Sequence, residues 1–252
     1  MKLAAALGLG DDELVSFVGA GGKKTAMGQL IAEASDRGLD AGYTTSTHMP
    51  PPPDLPLVLA PPDHVRDRLD EAESPVAFAR DRVTDPKRVD EKVRGYSPPV
   101  VDSLFEERCF DWLLVKADGA RMREFKAPGP DEPPIPRAST CVVPVASVRA
   151  AGRPLTDDVV HRVDRVKRCV DISAGDVLTP EHIGTVLAHP DGGLKHVPDG
   201  ATVVPLVNKA DDATLENRAN RIISTALEHT SRFDRGLLCS FQENTLKIIR
   251  ER

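Results

Sequence analysis

Strand and helix signals alternate along the chain, which predicts an α/β fold: a mainly parallel sheet between two layers of helices. Three observations carry this. The strand candidates are near-continuous apolar runs, as expected for strands buried on both faces. Helical patterns separate them, as parallel connections require. The first strand passes into the first long helix through Gly19, Gly21 and Gly22.

In order, strands are predicted at Leu14–Val18, Ala41–Thr45, Trp112–Ala117, Cys141–Ala146, Thr202–Asn208 and Gly236–Phe241. Helices are predicted at Lys23–Arg37, Asp63–Ala72, Asp90–Arg108, Asp157–Val170, Pro180–His189 and Asp212–Thr230. In the first helix Met27, Leu30, Ile31 and Ala34 share one face; in the last, Leu215, Ala219, Ile222, Ile223 and Ala226 do. Thr179-Pro180 reads as an N-cap followed by proline at the first helical position. Met1–Gly10 is apolar, carries one lysine and runs into Asp11-Asp12-Glu13, which predicts a short helix rather than a signal peptide. Two proline-rich stretches, 49–62 and 128–136, read as stiff loops inserted after strand ends. Residues 1–252 are expected to form a single domain. Residues 54–108 read either as an inserted subdomain or as more of the same layer.

The composition, 40% apolar with a net charge of −6, suits a soluble protein and argues against a nonspecific nucleic-acid binder. Cys109, Cys141, Cys169 and Cys239 form no C-x-x-C pair and read as reduced thiols of a cytoplasmic protein. No run approaches a membrane span.

Gly19-Ala20-Gly21-Gly22-Lys23-Lys24-Thr25 reads G-x-x-G-K-x-T. Glycines let backbone N–H groups approach an anion, and a helix N-terminus adds free donors and partial positive charge. Lys23 would reach the terminal phosphates. The spacing is shorter than G-x-x-x-x-G-K-[ST], and it resembles the compact phosphate loop of Mur ligases. The hydroxyl expected after the lysine is replaced by Lys24, with Thr25 one residue late. The alternative is an ordinary glycine turn.

Asn208-Lys209-Ala210-Asp211 ends an apolar run as N-K-x-D. An aspartate there accepts from the two donors on a guanine edge, which adenine lacks. Asn208 would contact base and loop, and the Lys209 stem would pack along the ring. The alternative is a turn with Asp211 as an N-cap. Trp112–Ala117 ends in Asp118, which resembles Walker B and would hold Mg²⁺ opposite the phosphate loop; the alternative is a turn aspartate beside Gly119. Arg121 and Lys126 follow and could attract an anion. Thr45, Thr47 and His48 place hydroxyls and an imidazole at the end of the second strand, where they could bind phosphate or substrate.

With these residues in hand the chain resembles the YqeC-type proteins, described as selenium-dependent hydroxylase accessory proteins. The likeness runs from about Leu14 to Asp211. It rests on VGAGGK at Val18–Lys23, TTSTH at Thr44–His48, ADGAR at Ala117–Arg121 and KAP at Lys126–Pro128. It continues through DEPPIP at Asp131–Pro136, VHR at Val160–Arg162, GGLK at Gly192–Lys195 and NKAD at Asn208–Asp211.

The resemblance implies a P-loop NTPase-like fold and a role in maturing molybdenum hydroxylases that need selenium. The candidate catalytic residues are Lys23 of the phosphate loop and Asp118 of the Walker B-like strand. Thr45, Thr47, His48, Arg121, Lys126, His161 and Lys195 become candidate substrate or switch residues. The expected ligand is GTP or ATP, and the expected partner is a molybdenum hydroxylase or a protein handling its cofactor. Lys24 and Lys116 stand where the family usually has threonine and glutamate. Facing the nucleotide they would disfavour Mg²⁺ and favour bare phosphate; alternatively both point to solvent. Three readings follow: a GTPase-like maturation factor, a nucleotide-sensing adaptor without turnover, and an ATP-dependent ligase or kinase on a small molecule.

Overall fold

The computed structural model describes residues 1–83 and 91–250. The elements run α1 (Leu3–Leu7), β1 (Glu13–Gly19), α2 (Lys23–Arg37), β2 (Ala41–Thr45), β3 (His48–Met49), β4 (Leu57–Leu59), α3 (Val65–Asp70) and β5 (Val76–Ala79). They continue with β6 (Asp81–Val83), β7 (Lys92–Arg94), α4 (Pro98–Glu106), β8 (Trp112–Lys116), β9 (Phe125–Lys126), β10 (Cys141–Ser147), β11 (Val160–His161) and α5 (Val163–Cys169). The last are α6 (Pro180–Ala188), β12 (Thr202–Val203), β13 (Leu206–Asn208), α7 (Ala213–Glu228), β14 (Arg235–Ser240) and β15 (Thr245–Arg250).

The main sheet has the order β15-β14-β13-β10-β1-β8-β2-β5-β4, with β12 also on β10. Every pairing in it is parallel except β14 with β15. Side chains of β1 alternate between two cores: Val15 and Phe17 pack with α1 and α2, Leu14 and Val18 with the layer holding α6 and α7. This is the mainly parallel three-layer α/β architecture that the alternating signals predict. Its sheet has β1 at the centre and sends the chain to opposite sides, which opens a crevice at the carboxyl ends of β1, β8 and β10.

Local chemistry sets the element ends. Helix α2 stops at Gly38, whose left-handed φ of 71° lets its N–H return to Ala34 and Ser35. Helix α6 starts at Thr179 with a capping box to His182, and α7 starts at Asp212, which accepts from Leu215 N–H. Short α1 is clamped: buried Glu33 accepts from Leu3 and Ala4 N–H at 2.8 Å each, and Arg235 donates to the Ala6 and Leu7 carbonyls.

Several boundaries differ from the sequence expectation. The strand expected over Thr202–Asn208 splits into β12 and β13, because Pro205 has no N–H for the ladder. The helix expected over Asp90–Arg108 begins only at Pro98, since Lys92–Arg94 is strand β7 between β3 and β6; Asp90 lies outside the described residues. Over Asp157–Val170, residues 160–161 form β11 beside β9, and Arg162 takes a left-handed φ of 71°, so α5 begins at Val163. The helix expected over Asp63–Ala72 is a 3₁₀ turn followed by α3. Residues 54–108 supply β4 and β5 to the main sheet and β6 and β7 to a small antiparallel sheet.

Candidate functional site

The loop from Gly19 to Gly22 joins β1 to α2. Gly19 has φ +88°, and a Cβ there would lie 2.2 Å from the Val145 carbonyl oxygen on β10. At Gly22, φ is +152° and a Cβ would lie 2.2 Å from Asn208 Nδ2. Backbone thus approaches backbone and amide where no side chain fits. Gly19→Ala is therefore expected to destabilise by at least about 1–3 kcal/mol from the backbone conformation alone. Gly38→Ala, also at positive φ but with nothing within 4 Å of the added Cβ, is the control. In thermal melts the Gly19 variant should fall well below the Gly38 variant; equal melting points would contradict the close approach.

Gly19 N–H donates to Asp118 Oδ2 at 2.9 Å, and Ala20 N–H donates to the Val145 carbonyl at 2.8 Å. Those two donors are engaged. Gly21 and Gly22 N–H have no protein acceptor among the described residues. The N–H groups of Lys23, Lys24 and Thr25 precede the first intrahelical bond, which Ala26 makes to Gly22. Five successive N–H groups at the start of α2 thus have no protein acceptor among the described residues.

Lys23 occupies the first helical position and is buried. Its ammonium donates to the Gly19 carbonyl and lies 2.6 Å from Asp118 Oδ1. Asp118 follows β8, which pairs with β1 in a register that sets Phe17 beside Lys116. Lys126 Nζ reaches Asp118 Oδ2 at 2.9 Å, Glu132 Oε2 at 2.8 Å and the Gly119 carbonyl at 2.7 Å. Arg162 closes on both Glu132 oxygens. The result is a continuous chain of alternating charge, Lys23–Asp118–Lys126–Glu132–Arg162, running from the loop into the proline-rich segment.

Burial works to raise the Asp118 carboxyl, but the ammonium groups of Lys23 and Lys126 outweigh it and hold it below the usual carboxylate range. Burial also opposes ionisation of Glu132, yet Arg162 and Lys126 bring its carboxyl down to about 2.

Lys24 and Thr25 are exposed on the first turn of α2. Lys116 is not: it is buried and donates to the His48 carbonyl at 3.0 Å, with Thr47 Oγ1 at 3.5 Å. Burial, with the charge of Lys23 next, lowers its amine to about 7. The two lysines that the sequence leaves as a pair therefore part company.

The remaining residues fall into three groups. Thr45 donates to the Lys116 carbonyl at 2.6 Å and sits 3.2 Å from the Thr47 hydroxyl, so this hydroxyl cluster adjoins Lys116. His48 is exposed and contributes its carbonyl; burial first, then Arg94 and Lys116, lower its imidazole. His161 pairs with Lys126 across β11 and β9, and burial with Arg162 and Lys126 takes its imidazole down to about 4, leaving it neutral near pH 7. Arg121 is exposed at φ 47°, outside the charge chain. Lys195 donates to the Gly129 and Pro130 carbonyls and so clamps the proline-rich segment.

On the other side of β1, Asn208 Nδ2 donates to the Gly21 carbonyl at 3.2 Å, tying the β13 end to the glycine loop. Lys209 Nζ meets both Glu124 oxygens, at 2.7 and 2.8 Å. Asp211 accepts from the Ser240 hydroxyl and, at 2.6 Å, from Arg149. Its carboxyl is held low, the Ser240 hydrogen bond being the largest cause. A cleft opens on the α6 side between Val18, Pro128, Pro133 and Leu187, with Asp118 and Lys126 on its polar side.

Among the site residues the sequence reading did not single out Glu132, Arg162, Glu124, Ser240 or Arg149. Glu132 and Arg162 lie in the DEPPIP and VHR stretches, which mark them as part of the family pattern but not as partners of each other; Glu124, Ser240 and Arg149 carry no signal without the fold.

Among the described residues no group of three or more His, Cys, Asp or Glu could hold a metal ion. The Asp118 carboxylate is already met by two ammonium groups and an N–H, and Thr25 stands in the open. This donor set does not fit a resident Mg²⁺, which favours oxygen ligands in near-octahedral order. No helix among the described residues is long and apolar enough to cross a membrane.

The YqeC protein family matches residues 15–164 of this chain. A protein of Escherichia coli (strain K12) named Uncharacterized protein YqeC is 30% identical over 211 residues, covering 78% of this chain and 75% of that one. No solved structure matches. The family match takes in the glycine loop, the β8 end and every member of the charge chain from Lys23 to Arg162, and the chain belongs to the YqeC family.

Proposed function

We propose that this chain binds a nucleotide at the carboxyl ends of β1, β8 and β13, with phosphates on Gly19–Thr25 and a guanine base at Asn208–Asp211. The observation that carries the reading is the start of α2. Free N–H groups from Gly21 to Thr25 surround a buried lysine whose counter-ion, Asp118, comes from the adjacent strand. An incoming phosphate competes with Asp118 and the Gly19 carbonyl for the Lys23 ammonium. Asn208, bonded to the loop itself, supports a base site contiguous with the phosphate site. Asp211, held by Ser240 and Arg149, retains lone pairs for the paired donors of guanine.

The physiological setting we propose, maturation of selenium-dependent molybdenum hydroxylases, stands on the family resemblance alone. Binding without turnover is the second reading. The placement of Asp118 favours it: Oδ2 is taken by Gly19 N–H and Lys126, and Oδ1 lies 2.6 Å from the Lys23 ammonium, so the carboxylate serves the two lysines rather than a water or a metal.

The base assignment is tested by competition between GTP and ATP. The wild type is expected to prefer GTP, and Asp211→Asn to reduce that preference by about tenfold, since an amide presents a donor where guanine needs an acceptor. ATP binding as tightly as GTP in the wild type would refute the base assignment whatever the variant does.

A further inference from the structure

A polyphosphate tail needs its charge met, and a divalent cation or cationic side chains can do it. Here the side chains crowd the position. Asp118 Oδ1 has the Lys23 ammonium at 2.6 Å, and Oδ2 is shared by Lys126 and Gly19 N–H at 2.9 Å each. Mg²⁺ binds oxygen at about 2.0–2.1 Å, and the Lys23 ammonium lies there until a phosphate draws it away; Oδ2 then still carries Lys126 and Gly19 N–H, and the lysine charge moves onto the phosphate itself. Glu132, the next carboxylate, is committed to Lys126 and Arg162.

Lys116 adds a third buried lysine. It comes from the strand beside β1, and its Nζ meets the His48 carbonyl and the Thr47 hydroxyl, leaving one N–H without an acceptor among the described residues. Lys23, Lys116, Lys126 and Arg162 stand against Asp118 and Glu132, four basic side chains against two carboxylates, and an arriving anion favours the protonated form of Lys116. This local excess of positive charge lies in a chain whose net charge is −6.

We propose that the site takes its nucleotide as the metal-free polyphosphate anion, with Lys23 and Lys116 meeting the charge that Mg²⁺ would carry. The inference rests on the nucleotide-binding reading above. A metal beside these lysines would add repulsion, whereas the bare anion gains from each of them.

The test is calorimetric titration of the full chain with non-hydrolysable GTP and ATP analogues, in EDTA and in MgCl₂ at matched ionic strength. Affinity in EDTA equal to or tighter than in MgCl₂ supports the proposal. Tightening of about tenfold or more on adding Mg²⁺ overturns it and leaves nucleotide binding standing. No binding in either buffer overturns both. Lys116→Met is expected to weaken binding in EDTA by about tenfold, and Lys116→Glu to weaken it further while making it respond to Mg²⁺. Both variants are checked by circular dichroism. Folded variants with the wild-type response in both buffers would remove Lys116 from the proposal.

Discussion

Lys23→Ala is expected to weaken nucleotide binding by about tenfold or more while the fold persists. The lysine sits at the first position of α2, where its ammonium and the free N–H groups converge on one anion. A charge-assisted hydrogen bond is worth about 1.5–3 kcal/mol, which corresponds to about 10- to 150-fold in affinity. Folding should survive, because Asp118 keeps Lys126 and Gly19 N–H, both at 2.9 Å. Calorimetry beside circular dichroism decides the matter. Unchanged affinity with an intact spectrum would remove the phosphate-loop assignment.

Asp118→Asn is expected to have the largest effect on stability. Lys23 and Lys126 are 6% and 1% exposed at the side chain, and the variant takes the shared carboxylate from between them. Lys126 retains Glu132, but Lys23 is left as an uncompensated buried cation. Removing one partner of a buried pair costs about 3–5 kcal/mol, which for a chain of this size lowers the melting temperature on the order of 10 °C.

The pH dependence has a definite sign. The folded carboxyl lies below its unfolded value, so its contribution is present above about pH 4 and is lost as pH falls further. The variant should therefore show a flatter acid limb as well as a lower melting point near neutrality. A melting temperature within about 2 °C of wild type at pH 7, less than 1 kcal/mol, would show that the pair contributes little.

The central strands were legible because burial on both faces forces continuous apolar runs, as in Trp112–Lys116. Helix α2 was legible to the residue, since the glycine loop opens it and Gly38 closes it. Short pairings were not. β9 and β11 are two residues each and pair only with each other across a long separation in sequence, so no local pattern announces them. The β15 hairpin strand mixes exposed and half-buried residues at the sheet edge, so it offers no continuous apolar run to read.

The same division holds at the site. Lys23 opens the helix that follows β1, and Asp118 follows the adjacent strand β8, so motif reasoning at the strand ends finds both. The partners that complete the charge chain, Glu132 and Arg162, are brought in by loops whose course no local pattern encodes. Lys24 and Lys116 illustrate the limit most sharply. Both are lysines beside a phosphate-loop feature, yet helix phase turns one to water while strand pairing buries the other.

The most direct measurement is a crystal structure of the full chain with a non-hydrolysable GTP analogue. The expected result has the phosphates against the N–H groups of Gly21–Thr25, Lys23 turned from Asp118 onto the phosphate oxygens, and the guanine edge on Asp211. A nucleotide bound elsewhere, with Lys23 still paired to Asp118, would contradict the account.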